Sequence, residues 1–143
     1  MRKAVVIAAA IAAACLTIPA RAFEAPAVIG LHLATVHSAS GFCNVNPGAY
    51  AVWTSGFTVG AYRNSECEKV SAYAGWTWQT EGRLRAGLTA GLVTGYRRSP
   101  VMPLLVPSVA FDLSPSTTVR LTYVPKVEKG GAHALHVALE FPL

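Results

Sequence analysis

From residue 28 onward, apolar and polar residues alternate along the chain in short runs broken by Gly, Pro, Ser and Asn. An alternation of period two places successive side chains on opposite faces of an extended strand. The pattern predicts eight strands, at 28–37, 48–54, 57–63, 70–79, 83–95, 103–111, 117–125 and 132–141. In the last of these, Leu135, Val137, Leu139 and Phe141 share one face, and Ala134, His136, Ala138 and Glu140 the other. In the seventh, Val119, Leu121 and Tyr123 oppose Thr118, Arg120 and Thr122.

The breaks differ in kind. Thr54 to Gly56, Gln79 to Gly82 and Asp112 to Ser116 read as tight turns, while 38–47, 64–69, 96–102 and 126–131 are longer or more polar. An even number of antiparallel strands with short turns at one end and longer loops at the other is the plan of an outer-membrane barrel. The expected fold class is therefore all-β, an eight-stranded antiparallel up-and-down outer-membrane β-barrel. A face carrying Arg120, His136 and Glu140 is costly against lipid, so it is assigned to the lumen, with Arg120 and Glu140 paired across neighbouring strands. A soluble lipocalin-like barrel or sandwich would turn the same face to solvent. Trp53, Trp76 and Trp78, near strand ends, fit the aromatic girdles of a membrane barrel.

Composition sharpens this picture. The 143 residues are 52% hydrophobic and only 13% charged, which excludes a disordered chain. The formal charge of +5 first suggests a nucleic-acid partner. Its origin removes that reading. Met1-Arg2-Lys3 is a basic start, Ala4 to Ile18 an apolar run containing Cys15, and Ala20-Arg21-Ala22 a small-x-small cleavage signal. This three-part pattern is that of a secretory signal peptide, with 1–22 removed and 23–143 forming one barrel domain. An N-terminal membrane anchor is the alternative, and the run is short for a spanning helix. Without Arg2, Lys3 and Arg21, nine Lys/Arg face seven Asp/Glu, a net +2, so no nucleic-acid partner is expected.

Two cysteines remain, Cys43 and Cys67, and in an exported chain they read as one disulfide, with two buried thiols as the alternative. The loops that carry them fall at the same end of the barrel. No metal-ligand spacing occurs, and neither metal nor cofactor is expected.

Two further features bear on function. The fifth strand turns Arg85, Gly87, Thr89 and Gly91 to the lumen, and its glycines suggest room for an acyl chain, or merely strand coiling. Pro103, Pro107 and Pro125 fall within or at the ends of strands and cannot donate ladder hydrogen bonds. They read as lateral gaps toward lipid or as strand terminators.

Several segments, in order, resemble the PagP-type lipid A palmitoyltransferases. They are Gly87-Leu-Thr-Ala-Gly-Leu, Pro103-Leu-Leu-Val-Pro107-Ser, Leu121-Thr-Tyr-Val-Pro125 and a terminal strand ending in Glu-Phe. Upstream, Tyr62-Arg63-Asn64-Ser65 and Tyr73-Ala74-Gly75-Trp76-Thr77-Trp78 are similar to the family's Asp-Ser loop and the strand after it. The resemblance covers 60–143 well and 28–59 poorly. It implies a monomeric outer-membrane enzyme of a Gram-negative-type bacterium that moves an acyl chain from a phospholipid donor to lipid A, with the chain held in the lumen. Ser65 matches the family's serine, and Asn64 stands where the family has Asp. The histidine comes from the first strand: His37, level with Ser65 at the loop end, or His32 lower in the lumen. By the same resemblance Gly87 and Gly91 line the acyl pocket; Arg63, Lys69, Arg97 and Arg98, at the same rim, read as contacts to headgroup phosphates or as ordinary solvated loop charges. The first strand begins close behind the expected cleavage site, where the family has an amphipathic helix. A catalytically silent barrel that binds lipid or is structural is the competing reading.

Overall fold

The computed structural model describes residues 24–67, 69–127 and 129–143. The segment read as a signal peptide, with Cys15, lies outside them. Eight strands follow in order: β1 Val28–His37, β2 Val45–Val52, β3 Phe57–Arg63, β4 Val70–Gln79, β5 Leu84–Thr94, β6 Val101–Ser114, β7 Thr117–Val124 and β8 Ala134–Pro142. Each pairs antiparallel with the next, and β1 pairs with β8 from Val28↔Pro142 to His37↔Ala134, closing the barrel. Among the described residues no helix is present.

Short turns link β2–β3, β4–β5 and β6–β7 at one end, and longer loops link the other pairs at the opposite end. The β2–β3 turn needs a glycine at 56. Its φ is +84°, and a Cβ there would collide with the Thr77 carbonyl.

The barrel is apolar outside and polar inside. Leu31, Leu88, Leu92, Leu105, Val109, Leu121 and Leu135 are exposed on the outer surface. Trp76 and Trp78 lie outward toward the turn end, where Phe57 packs between Trp53 and Trp76. A soluble barrel reverses this polarity. The arrangement is compatible with the outer membrane, where an apolar band is bounded by aromatic side chains.

The lumen is filled in layers. Nearest the turns, Arg85 binds both carboxylate oxygens of Asp112, at 2.8 and 3.0 Å. Above it, Arg120 and Glu140 pair as the alternation predicts, at 2.6 and 3.1 Å. Tyr50 donates to Glu140 at 2.7 Å, and Arg120 donates to Ser108 and Gln79. Next comes a chain in which His136 bonds Thr35 and His32, and His32 bonds Tyr73. The rings of Tyr50 and Tyr73 fit because Gly30 and Gly60 carry no side chain. A Cβ on either would overlap them.

A bulge in β1 decides what faces the site. The register of β1 shifts against both neighbours between His32 and Ala34: Leu33 is an extra residue against β8, while on the other side Asn46 and Pro47 of β2 lie opposite it. The shift inverts the alternation. His32 and His37 are an odd number of positions apart, yet both turn to the lumen side, His32 onto His136 and His37 opposite the buried Ala134.

Two strands run further toward the loops than the expected 48–54 and 103–111, each with proline in the added or adjoining stretch. β2 starts at Val45, ahead of Pro47, and β6 runs from Val101 to Ser114 through Pro103 and Pro107. The β5–β6 ladder continues past both prolines, from Thr94↔Val101 to Leu84↔Phe111. On its other edge, β6 pairs with β7 only from Ser108↔Thr122 toward the turn. The discontinuity at Pro103, Pro107 and Pro125 is therefore confined to the β6–β7 side, in the half of the barrel nearer the loops.

Candidate functional site

The site is assembled where β1 and β3 end. His37 is the last residue of β1, and Ser65 lies two residues past β3. The His37 Nε2 atom is 2.9 Å from Ser65 Oγ, and Nδ1 is 2.8 Å from Asn44 Oδ1. The amide oxygen of Asn44 only accepts, so Nδ1 carries the proton and Nε2 is left to accept from the serine hydroxyl. That is the tautomer a general base requires. Phe42 stacks on the imidazole at 4.9 Å and 17°.

The backbone holds these side chains at fixed separation. Thr35 N–H donates to the Asn44 carbonyl, tying the end of β1 to the start of β2. Cys43 N–H donates to the Ser65 carbonyl at 2.9 Å. Cys43 and Cys67 form the expected disulfide, with Cα atoms 5.2 Å apart. One bridge thus joins the neighbour of Asn44 to the loop of Ser65.

Asn64 is not the group that orients the histidine, and this corrects the expectation drawn from its standing where the resembled family has Asp. Its side chain is fully buried, donating to Ser71 Oγ and the Gly95 carbonyl while its Oδ1 accepts from Glu66 N–H. It shapes the Ser65 loop and anchors it to the β5–β6 loop. Replacing it with the family's aspartate is expected to destabilise the barrel rather than activate it. A carboxylate cannot donate to Gly95, and the lost bonds cost about 1–3 kcal/mol. Denaturant unfolding of Asn64→Asp checks this, and wild-type stability would contradict it.

His32 is likewise corrected as a bonding partner of the site. Both its nitrogens are taken, by His136 at 2.8 Å and Tyr73 at 3.0 Å, and Tyr50 and Tyr62 pack on its ring.

Gly87 and Gly91 do not open an acyl pocket. A Cβ on Gly87 would lie 2.8 Å from Ser108 Oγ and 3.2 Å from Arg120 Nη1, so the polar layer fills that space. Gly91 sits across from Gly75, where a Cβ would strike the backbone of β4. A cavity of about 920 Å³ opens instead at the turn end, walled by Arg83, Arg85, Asp112, Arg120 and Glu140.

The basic rim residues are engaged by the loops. Arg63 Nε donates to the Cys67 carbonyl. Lys69 and Arg97 lie 3.7 and 3.6 Å from Glu66 Oε2. Arg98 belongs to the same β5–β6 loop as Arg97. Among the described residues no group of three His, Cys, Asp or Glu is placed to hold a metal ion.

Sequence reasoning found Ser65 and His37 as neighbours at one rim but missed Asn44. The available signal was its position beside Cys43, which the disulfide carries to the serine loop.

No family model and no curated protein matches the chain. Among solved structures, the chain is similar to the solution NMR structure of the de novo designed TMB2.3, with a TM-score of 0.60 and 13% identity over 85% of this chain and 98% of that one. At that identity the likeness concerns the fold alone, a closed antiparallel eight-stranded barrel like a designed transmembrane one.

Proposed function

We propose that the protein is an outer-membrane acyl-ester enzyme of the lipid A acyltransferase type, with Ser65 as nucleophile, His37 as general base and Asn44 orienting the imidazole. The carrying observation is the unbroken line Asn44 Oδ1–His37–Ser65 Oγ, with both contacts under 3 Å. Such a line activates a hydroxyl that is otherwise a weak nucleophile. Ser65 Oγ attacks the acyl carbonyl of a phospholipid, and its proton passes to His37 Nε2. His37 returns the proton to the departing lysophospholipid oxygen, leaving the acyl group on Ser65. A lipid A hydroxyl then gives its proton to His37 and attacks the acyl-serine, and as the bond to Ser65 Oγ breaks His37 returns the proton to that oxygen, restoring the enzyme. Water in place of that hydroxyl makes the reaction a hydrolysis.

The depth of the site favours a lipid ester. β3 has seven residues, which span about 23 Å along the strand and about 18 Å of height at the usual tilt, less than the ~25 Å apolar band. Ser65 therefore sits near the boundary of headgroup and acyl chains, where ester carbonyls lie. β2 and β3 pair only from Gly48↔Tyr62 downward, and Pro47, above, has no N–H to donate. Above the β2–β3 ladder the two strands are joined by side chains and loop bonds instead, the Asn46 amide on the Arg63 carbonyl and Cys43 N–H on the Ser65 carbonyl. With the lumen occupied by polar layers, the acyl chain stays on the lipid side.

Mass spectrometry of lipid A and phospholipids from cells expressing the wild type or Ser65→Ala tests the proposal. An added acyl chain on lipid A, lost in the variant, is expected. Lysophospholipid and free fatty acid without lipid A gain would indicate hydrolysis. No serine-dependent change in either pool would leave a catalytically silent barrel.

A further inference from the structure

We propose that the β7–β8 loop forms a notch that binds the phosphate group of a membrane lipid. The notch, about 430 Å³, is lined by Lys126, Val127, Lys129 and His133. It shares no lining residue with the Ser65 site, although His133 bonds Ser38, the residue after His37.

Every polar side chain that lines it can donate. Lysine ammoniums only donate. The tautomer of His133 is set by its surroundings: Nδ1 accepts from the Lys126 backbone N–H at 3.3 Å, which can only donate, and lies 2.6 Å from the Tyr123 hydroxyl. The remaining proton is on Nε2. His133 is held in place before any ligand arrives. Its N–H donates to Ser38 Oγ at 2.9 Å, its carbonyl accepts from Ser38 N–H at 2.8 Å, and its ring stacks on Tyr123 at an 11° interplanar angle.

Lys126 and Lys129 have no ion pair among the described residues, in contrast to Lys69 and Arg97 on the rim nearer Ser65. Two lysines and an imidazole N–H lining one shallow hollow match a doubly charged phosphomonoester. Glu128, between the lysines in sequence, leaves this loop at +1. The whole loop end carries six Lys/Arg against three Glu, while the turn end carries Arg83 and Arg85 against Glu24, Glu81 and Asp112.

Apolar surface adjoins the notch, and this selects a lipid over free phosphate. Val127 in its wall is 72% exposed. Directly below lies the loop-side stretch of β6 that has no pairing with β7, with Val101 and Leu105 exposed, and Tyr123 and Leu135 exposed on the adjoining strands. A lipid whose phosphate occupies the notch can lay its acyl chains on that face.

The test follows the ¹⁵N resonance of the His133 imidazole, assigned by His133→Gln, in the full barrel in phosphatidylcholine nanodiscs with increasing phosphatidic acid. A saturable shift is expected, with its midpoint raised at least about tenfold in Lys126→Ala/Lys129→Ala, the equivalent of about 1.4 kcal/mol. Heat-dependent gel mobility verifies that the variant is folded. No shift, a shift that never saturates, or one unchanged in the folded double variant would overturn the proposal. So would an equal shift from inorganic phosphate at the same concentration, which would make the notch a free-anion site. The same titration of Ser65→Ala is expected to match wild type, so the notch stands or falls separately from the acyl chemistry.

Discussion

Replacing Ser65 with alanine is expected to lower acyl-ester turnover by about 10⁴-fold or more without unfolding the barrel. The hydroxyl contributes one side-chain bond, to His37, and Ser65 remains joined to Cys43 through its carbonyl. His37→Ala is expected to cost about as much, and the double variant little more, because nucleophile and base act as a unit. Asn44 separates this arrangement from an incidental serine–histidine contact. Asn44→Leu removes the acceptor that fixes the proton on Nδ1, so the wrong tautomer is populated and the rate falls. Asn44→Asp keeps the acceptor and adds a charge that stabilises the imidazolium, so activity is kept or raised. Turnover of a chromogenic acyl ester by purified barrel in detergent measures all five. Wild-type rates in Ser65→Ala would remove the serine from the mechanism. Equal rates in Asn44→Leu and Asn44→Asp would remove the asparagine.

Much of the barrel was legible because its signals are local. β1, β3 and β4 have the bounds that the alternation assigns, each ended by Ser, Asn or Gly-bearing turns. The lumenal pairing of Arg120 with Glu140 followed from parity on adjacent strands. The prolines were harder. Whether a proline ends a strand depends on which edge its missing N–H would have served, and that is a property of the neighbouring strand. β6 runs through two prolines because its ladder to β5 continues past them. β8 begins at Ala134 rather than 132 because Ser38 and Tyr123 hold His133 in the loop.

The site was legible in part for a related reason. His37 and Ser65 meet because the ends of their strands are level, which strand counting captures. The bulge at Leu33, by contrast, leaves no mark in composition, yet without it His32 and His37 would face opposite sides of β1. The resemblance also misdirected the choice of asparagine. Asn64, beside the serine, turns back into its own loop, and Asn44, distant in sequence, arrives through the β1–β2 loop and the disulfide. The supposed acyl pocket failed on volume: the absent side chains at Gly87 and Gly91 admit the Arg120 layer and a close strand approach.

That layer carries the largest expected effect on stability. Arg120→Met is expected to destabilise the barrel by about 3–5 kcal/mol, because it leaves the Glu140 carboxylate buried without its counter-ion. Glu140 is 4% exposed and Arg120 8%, so water reaches neither freely. The loss also orphans Gln79 and Ser108, each bonded to a guanidinium nitrogen, and leaves Tyr50 as the carboxylate's remaining side-chain donor. Glu140→Leu alone should be nearly as harmful, since it strands the guanidinium. The double variant Arg120→Met/Glu140→Leu is expected to recover most of the loss, because no charge is then buried unpaired and the layer is refilled with side chains of similar bulk. Urea unfolding of the barrel in lipid or detergent gives the three values. A single-variant cost below about 1 kcal/mol, the range of solvated surface pairs, would mean that water screens this layer. A double variant no better than either single one would place the stabilisation in the surrounding bonds to Tyr50, Gln79 and Ser108 rather than in the pairing of charge.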